Sequence, residues 1–114
     1  MAVSARKFHR TTGKRRAFVK GIAANLIVHG KIETTVERAK EIRPVVERYV
    51  TFAKHGQTSD LRMLMTKLPK GAAQKLFYEV APKYKDRKGG YLRITKQTSQ
   101  RFRDGAKMAT IEFV

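Results

Sequence analysis

The side chains best suited to chemistry in this sequence are cationic. Lys and Arg number 26 among 114 residues, against nine Asp and Glu, which gives a formal charge of +17. Ammonium and guanidinium groups neutralise phosphate, and the planar guanidinium can meet two phosphate oxygens at once. So large a charge excess repels itself within a folded chain. We therefore expect a polyanionic partner, and nucleic acid supplies dense phosphate charge whose condensed counterions are released on binding.

The cations are concentrated in two flanking segments. The first cationic segment, Met1–Ile32, holds eight Lys or Arg and no acid, and the second, Lys83–Lys107, holds nine against two acids. Between them, Glu33–Pro82 has nine cations and six acids. This distribution predicts a charge-balanced body with two basic segments directed at one polyanion.

We predict that both segments contribute nucleic-acid-binding side chains. The cationic candidates are Arg6, Lys7, Arg10, Lys14, Arg15, Arg16, Lys20, Lys83, Lys85, Arg87, Lys88, Arg93, Lys96, Arg101, Arg103 and Lys107. His9 is expected to touch phosphate or to stack on a base. Tyr84 and Tyr91 lie among the cations, so stacking on bases or ribose competes there with packing in the core. Such contacts recognise the shape of folded RNA more than a linear sequence, since phosphate contacts position but do not specify.

The carboxylates and glycines do not predict an enzyme. Glu33, Glu37 and Glu41 recur every four residues among cations, which indicates a solvated face with ion pairs rather than general acid–base chemistry. Gly89-Gly90 lacks the P-loop spacing and a following helix, so it predicts a turn into a strand. We therefore expect no catalysis, no cofactor and no small-molecule substrate.

Histidine and cysteine do not predict a metal site either. The absence of cysteine excludes disulfides, thiol catalysis and cysteine-based metal centres. His9, His29 and His55 are far apart and lack the i, i+4 pairing of a helical metal site. His29 and His55 instead each end a predicted helix, where a partly charged imidazole suits the C-terminal dipole.

An acidic membrane surface is the rival polyanion. No apolar run approaches the roughly 18 residues of a membrane span, and no apolar secretory core lies near the N-terminus. Binding to a membrane surface needs an exposed apolar face beside the cations, whereas the apolar stripes of this chain are needed for one core. We expect a cytoplasmic protein with no membrane partner. A free-standing architectural nucleic-acid-binding protein is a further alternative.

Apolar spacing predicts a basic arm followed by one mainly helical domain. The arm comprises residues 1–10, and the domain residues 11–114. Apolar positions three and four apart indicate amphipathic helices. The helices are predicted over residues 11–29, 36–54, 59–68 and 70–80.

Four local signals refine the first two helices. Gly30 is expected to end the first helix in a left-handed turn. Gly21 lies inside that helix, where glycine costs about 1 kcal/mol against alanine, so we expect a close packing contact there. Thr34 and Glu37 have the spacing of a capping box at the start of the second helix, and Pro44 is expected to kink or divide it.

The pattern changes to strands after Pro82. Tyr91–Gln97 and Lys107–Phe113 alternate apolar and polar residues, which predicts an antiparallel hairpin with a loop over Thr98–Gly105. Lys31–Thr35 is predicted to be a short extended piece. Helices on one face of a small sheet define an α+β, two-layer fold with about four helices and a C-terminal hairpin.

A set of short strings, weak singly but specific in this order and spacing, resembles the bacterial ribosomal large-subunit protein L17 family. The similarity covers about Arg6 to Val114. The strings are Arg6-Lys7, Arg10-Thr11, Ile32-Glu33-Thr34-Thr35, Ala39-Lys40-Glu41-Ile42-Arg43-Pro44-Val45-Val46-Glu47, Lys75-Leu76-Phe77, Ala81-Pro82, Tyr84-Lys85-Asp86-Arg87, Gly89-Gly90-Tyr91, Arg93-Ile94, Asp104, Met108-Ala109 and Ile111-Glu112.

The resemblance implies a structural constituent of the bacterial 50S subunit. It implies binding to 23S ribosomal RNA near the polypeptide exit, with neighbouring large-subunit proteins as further partners. It also implies a two-layer α/β fold, in agreement with the pattern of the residues. Because organelle ribosomes use relatives of this family, an organellar homologue is the alternative.

Overall fold

A three-stranded sheet and the helices packed against it form the part of the chain that the computed structural model describes. The backbone is described for residues 12–100 and 105–114, and the side chains for residues 17–97 and 105–114. The elements in chain order are α1 (Thr12–His29), β1 (Lys31–Thr35), α2 (Val36–Lys54), α3 (Thr58–Lys67), α4 (Lys70–Lys75), β2 (Leu92–Gln100) and β3 (Lys107–Phe113). The predicted α+β, two-layer fold with a C-terminal hairpin is confirmed.

The C-terminal strand β3 lies at the centre of the sheet. The strand order is β1-β3-β2, and both neighbours run antiparallel to β3. Leu92 pairs with Phe113 at one end of the sheet, which we call the loop end. Gln100 pairs with Lys107 at the other, which we call the hairpin end. At about 3.4 Å per residue, β3 separates the two ends by roughly 20 Å.

Helix α2 covers the inner face of the sheet and contacts all three strands. Its buried residues recur at spacings of three and four, so they share one helical face. They are Ala39, Ile42, Val46, Val50 and Ala53. Ala109 and Ile111 of β3 are fully buried opposite this layer, and the core therefore lies between α2 and the central strand.

Pro44 does not divide α2, so this part of the sequence prediction was wrong. The helix runs unbroken from Val36 to Lys54, and Pro44 lies on its exposed side. Proline removes one backbone donor and crowds the preceding turn. The buried residues on either side, Ile42 and Val46, keep both halves against the sheet and offset that local cost.

The capping signal at the start of α2 is displaced by one residue from its predicted position. Thr35, not Thr34, is the N-cap, and its hydroxyl accepts a hydrogen bond from the Arg38 backbone N–H at 3.3 Å. Strand pairing explains the difference, because Thr34 and Thr35 still belong to β1 and pair with Ala109 and Met108. The helix therefore begins only where the strand ends.

The sequence predictions for the two glycines in and after α1 are confirmed in one case and wrong in the other. Gly30 has a φ of 79° and its N–H donates to the Leu26 carbonyl at 2.7 Å, which confirms the predicted left-handed end of the helix. Gly21 is exposed, and a Cβ placed there would meet nothing within 4 Å. The expected close contact at Gly21 is therefore wrong, since this face of α1 points away from the core.

The chain beyond α4 and the end of β2 also depart from the predicted boundaries. The predicted fourth helix widens into a π-helical turn over Leu76–Val80 and tightens into a 3₁₀ turn over Ala81–Tyr84. Strand β2 continues through Thr98–Gln100, where a loop was expected. Between Lys96 and Gln100 it advances four residues while β3 moves only two, from Ala109 to Lys107, which marks a bulge.

Replacing Thr35 by alanine should destabilise the protein through the lost N-cap. We expect Thr35→Ala to lower the free energy of unfolding by about 1 kcal/mol, measured by urea denaturation. Thr35→Ser keeps the accepting hydroxyl and should retain most of that stability. A larger loss from Thr34→Ala than from Thr35→Ala would contradict this assignment.

Candidate nucleic-acid interface

Helix α1 connects the two ends of the molecule. At its C-terminus, the Gly30 carbonyl accepts a hydrogen bond from the Phe113 N–H at 3.1 Å, which fixes this terminus at the loop end. In its first half, the Phe18 ring lies under the Arg38 guanidinium, 4.9 Å from the ring centroid. Since α2 begins at the hairpin end, that half of α1 lies there too. Lys20, a predicted RNA-binding residue, is exposed near it.

A cleft of about 250 Å³ at the loop end joins the two cationic segments. Its basic side chains are Lys83 of the second segment and Lys75 of the central body, and His29 of the first segment also lines it. The Lys75 ammonium donates to the Val28 carbonyl at 2.6 Å and so satisfies a carbonyl at the C-terminus of α1, where a cation also complements the helix dipole. The Lys75 ammonium is therefore engaged in a hydrogen bond within the protein, whereas the Lys83 side chain is exposed.

Residues 85–90 form a loop before β2, which we call the basic loop, and its cationic side chains are exposed on a backbone held by hydrogen bonds. Lys85, Arg87 and Lys88 are all exposed. The Arg87 N–H donates to the Tyr84 carbonyl at 2.9 Å, and the Arg87 side chain turns back to the Gly89 carbonyl at 3.2 Å. Because the backbone is held by such bonds, less conformational freedom is lost when the cations meet a ligand.

Two side chains of α2 hold this loop and were not identified from the sequence. The Lys54 ammonium donates to the Arg87 carbonyl and, at 2.8 Å, to the Tyr91 hydroxyl. One Glu47 carboxylate oxygen accepts a hydrogen bond from the Leu92 N–H at 3.3 Å. Both positions look like ordinary charged surface residues in the sequence, because their partners lie more than 30 residues away.

Tyr84 and Tyr91 belong to the core and not to the set of stacking side chains, which corrects the prediction. They are 6% and 2% exposed, and their ring centroids lie 5.4 Å apart. The Tyr84 hydroxyl donates to the Val114 carbonyl at 2.7 Å. Neither ring presents a face to a nucleobase, so the core-packing alternative holds for both.

The hairpin supplies cations at the opposite end. Lys96 and Lys107 are exposed, near the bulge and at the start of β3. Arg93 lies instead toward the loop end, where its guanidinium meets the Glu112 carboxylate of the neighbouring strand at 3.0 Å. An exposed pair of this kind adds little stability, but it offsets the charge of Arg93.

Several predicted site residues lie where their side chains are not described. Arg6, Lys7, His9, Arg10, Arg101 and Arg103 are outside the described residues, and Lys14, Arg15 and Arg16 are described only as backbone in α1.

The described cations occupy both ends of the sheet and both of its edges. Residues 12–32 of the first cationic segment run from the hairpin end to the loop end through α1, which contacts the edge strand β1. The second runs back from Lys83 to Lys107 through the other edge strand, β2. Each end therefore receives cations from both segments, but the described ones are not collected on one flat face.

The other polar groups of the described residues belong to the surface. No charged side chain among them is buried, and no group of three or more metal-ligating side chains occurs in that part of the chain. His55, at the C-cap of α2, lies 3.7 Å from the Asp60 carboxylate of α3. Within the same residues, no helix is long and apolar enough to cross a membrane.

A small basic α+β fold with exposed cations around a core that holds no charge among the described residues is typical of structural proteins that bind polyanions. The family profile described as Ribosomal protein L17 matches residues 18–114. Three curated relatives are each called large ribosomal subunit protein bL17. The relative from Persephonella marina is 48% identical, covering 98% of this chain and 92% of the relative. The relatives from Thermodesulfovibrio yellowstonii and Clostridium acetobutylicum are 43% and 44% identical, over 98% and 100% of this chain and 84% and 100% of theirs.

The chain belongs to the ribosomal protein L17 family. The resemblance inferred from the sequence motifs is thereby confirmed. Proteins of this family are structural, non-enzymatic components of the large ribosomal subunit in the cytoplasm. At the level of the family, the predictions of a ribosomal role without catalysis are confirmed as well.

The burial of Tyr84 predicts a loss of stability at alkaline pH. Burial raises the pKa of its hydroxyl above the ordinary value of 10, against a smaller lowering by Arg87. Below pH 10 both the folded and the unfolded states keep the proton. Above it the unfolded state loses the proton first, so the stability contributed by Tyr84 falls as the pH rises through the raised pKa.

Tyr84→Phe should therefore lower the free energy of unfolding by about 1 kcal/mol at pH 7, because the bond to Val114 is lost. Its stability should also fall less than that of the parent protein between pH 9 and 11, as measured by urea denaturation. Tyr78→Phe, at a ring that is 62% exposed, is the control. Equal stability and equal pH dependence of the Tyr84→Phe and parent proteins would contradict the buried assignment.

Proposed function

We propose that this protein binds 23S ribosomal RNA near the polypeptide exit, as a structural constituent of the bacterial large subunit that also contacts neighbouring ribosomal proteins. Family membership supports the ribosomal role, and the resemblance of the sequence to the family supports the RNA and the location. The three relatives cited are bacterial, which favours the bacterial over the organellar alternative.

The observation that carries this proposal is the supply of cations to each end of the sheet by both segments. At the loop end, Lys31 of the first segment and Lys83, Lys85 and Lys88 of the second are exposed and form no ion pair within the described part of the chain. At the hairpin end, Lys20, Lys96 and Lys107 are likewise exposed. Two basic ends roughly 20 Å apart suit RNA that approaches from more than one side, as folded ribosomal RNA does.

The proposed RNA-binding side chains are the predicted set without Tyr84 and Tyr91. They are Arg6, Lys7, His9, Arg10, Lys14, Arg15, Arg16, Lys20, Lys83, Lys85, Arg87, Lys88, Arg93, Lys96, Arg101, Arg103 and Lys107. We expect Arg93 to contribute least, because Glu112 already lies beside it. In the same proposal, residues 1–10 act as a basic arm and residues 11–114 as one RNA-binding domain.

The proposal predicts that tagged protein co-sediments with large subunits in sucrose gradients at moderate salt. Replacing Lys85 and Lys88 together by glutamine should weaken binding to a 23S RNA transcript about tenfold and reduce the slope of log affinity against log salt by roughly 1 to 2. The double variant Lys40→Gln, Lys70→Gln removes the same charge from exposed positions outside the proposed set and should change little. Protein that stays at the top of the gradient would refute the proposal.

The arm makes a separate prediction. Deleting Met1–Arg10 removes three cations and His9, and we expect RNA affinity to fall while the melting temperature stays nearly unchanged. Thermal denaturation and binding to the same transcript measure the two effects. Affinity equal to that of the full chain would show that the arm does not bind RNA.

A further inference from the structure

A second cleft lies between α2 and α3, in the charge-balanced middle of the chain. Its volume is about 140 Å³, which is smaller than the roughly 300–1,000 Å³ of pockets for drug-sized ligands. Two aromatic rings, Tyr49 and Phe52, line it from α2, and Met63 and Leu64 line it from α3. A cleft of this size and lining suits one flat ring system rather than a helix or a strand.

The rim of this cleft is cationic. Arg48 and Lys67 line it from the two helices, and both are exposed. Neither forms an ion pair within the described part of the chain, and no acidic residue is among the lining side chains of the described cleft. The guanidinium of Arg48 also acts on the Tyr49 hydroxyl, whose pKa burial raises and Arg48 lowers by less. Anionic groups are therefore favoured at the mouth and an apolar ring inside.

The cleft opens on the half of α2 that also holds the basic loop. Phe52 is two residues before Lys54, whose ammonium bonds the Arg87 carbonyl. Because successive residues of an α-helix turn by about 100°, these two side chains leave α2 on nearly opposite sides, and RNA that enters the cleft reaches it from the side of α2 opposite to the basic loop.

We propose that this cleft holds one unpaired nucleobase of the bound RNA, with Arg48 and Lys67 on the adjoining phosphates. The inference rests on the proposed RNA binding and adds a site that contacts a base rather than backbone alone. Stacking of a base on aromatic side chains tolerates any base, because every base has a π-face. A side chain of a neighbouring protein is the other occupant of matching shape, but it carries no phosphate to match the two cations.

The chain has no tryptophan, so a single introduced tryptophan can report on the cleft. Phe52→Trp puts the reporter on its α2 wall and Met63→Trp on its α3 wall, which keeps the test available if one variant fails to fold. Tyr78→Trp, at a position 62% exposed and outside the cleft, is the matched control. The probe is a transcript of 23S ribosomal RNA, with occupancy measured separately by gel shift.

We expect the transcript to quench the emission of Phe52→Trp by about half or more through ring stacking and to leave Tyr78→Trp nearly unchanged. Adding Arg48→Gln and Lys67→Gln to Phe52→Trp should reduce the quenching at equal RNA occupancy. Those results would support the site.

Other results would overturn it. Unchanged Phe52→Trp and Met63→Trp emission with RNA fully bound would show that no base enters, while the proposed function would stand. A blue shift seen only in assembled subunits, and not with the transcript, would assign the cleft to a protein side chain. Absence of RNA binding by the parent protein would instead remove the proposed function, and the nucleobase site with it.

Discussion

The contact between α2 and the inner face of β3 is the interaction on which the rest of the structure depends. β3 is the only strand that pairs with both others in the described sheet, and α2 covers it with a face that excludes water. Val46 and Val50 on the helix and Ile111 on the strand are fully buried. Because α2 and β3 each bury an apolar face against the other, helix and sheet form together, and the hydrophobic effect drives both.

The same helix connects the core to the polar surface. Its Lys54 and Glu47 side chains lie two turns apart and hold the loop and the start of β2 by hydrogen bonds. On a different side, Tyr49 and Phe52 line the cleft beside α3. Helix α2 thus buries an apolar face, holds the basic loop and lines a cleft. A change in its packing is therefore expected to alter the core, the loop and the cleft together.

Among the described residues, apolar side chains form the core, whereas the charged side chains lie on the surface, where they are available for a ligand. Within the described residues the core contains no buried charge, so it needs no ionic compensation, and the charged side chains of those residues lie outside the core. The antiparallel course of the two cationic segments follows from topology. α1 enters at the hairpin end and leaves at the loop end, and the second segment returns through β2.

Local sequence patterns predicted most of the helices and strands, but they did not predict where some of these elements end or where a helix changes its hydrogen-bonding pattern. Helix periodicity and Gly30 located α1 and α2 closely, and alternation located β2 and β3. The N-cap at Thr35 and the extension of β2 escaped prediction, because pairing with β3 decides where those strands end. The wide turn at Leu76–Val80 escaped it as well, since no local residue type marks such a turn.

The sequence by itself determined the elements, the α+β class, the family and the excess of cations, because all of these depend on residue type and on short-range spacing. Only the tertiary structure decided that Tyr84 and Tyr91 are core residues, that Lys54 and Glu47 hold the loop, and that each end receives cations from both segments. These facts depend on contacts between residues 30 or more positions apart, such as the 37 between Lys54 and Tyr91. Periodicity shows which face of an element is apolar, but it does not show which distant side chain will lie against it.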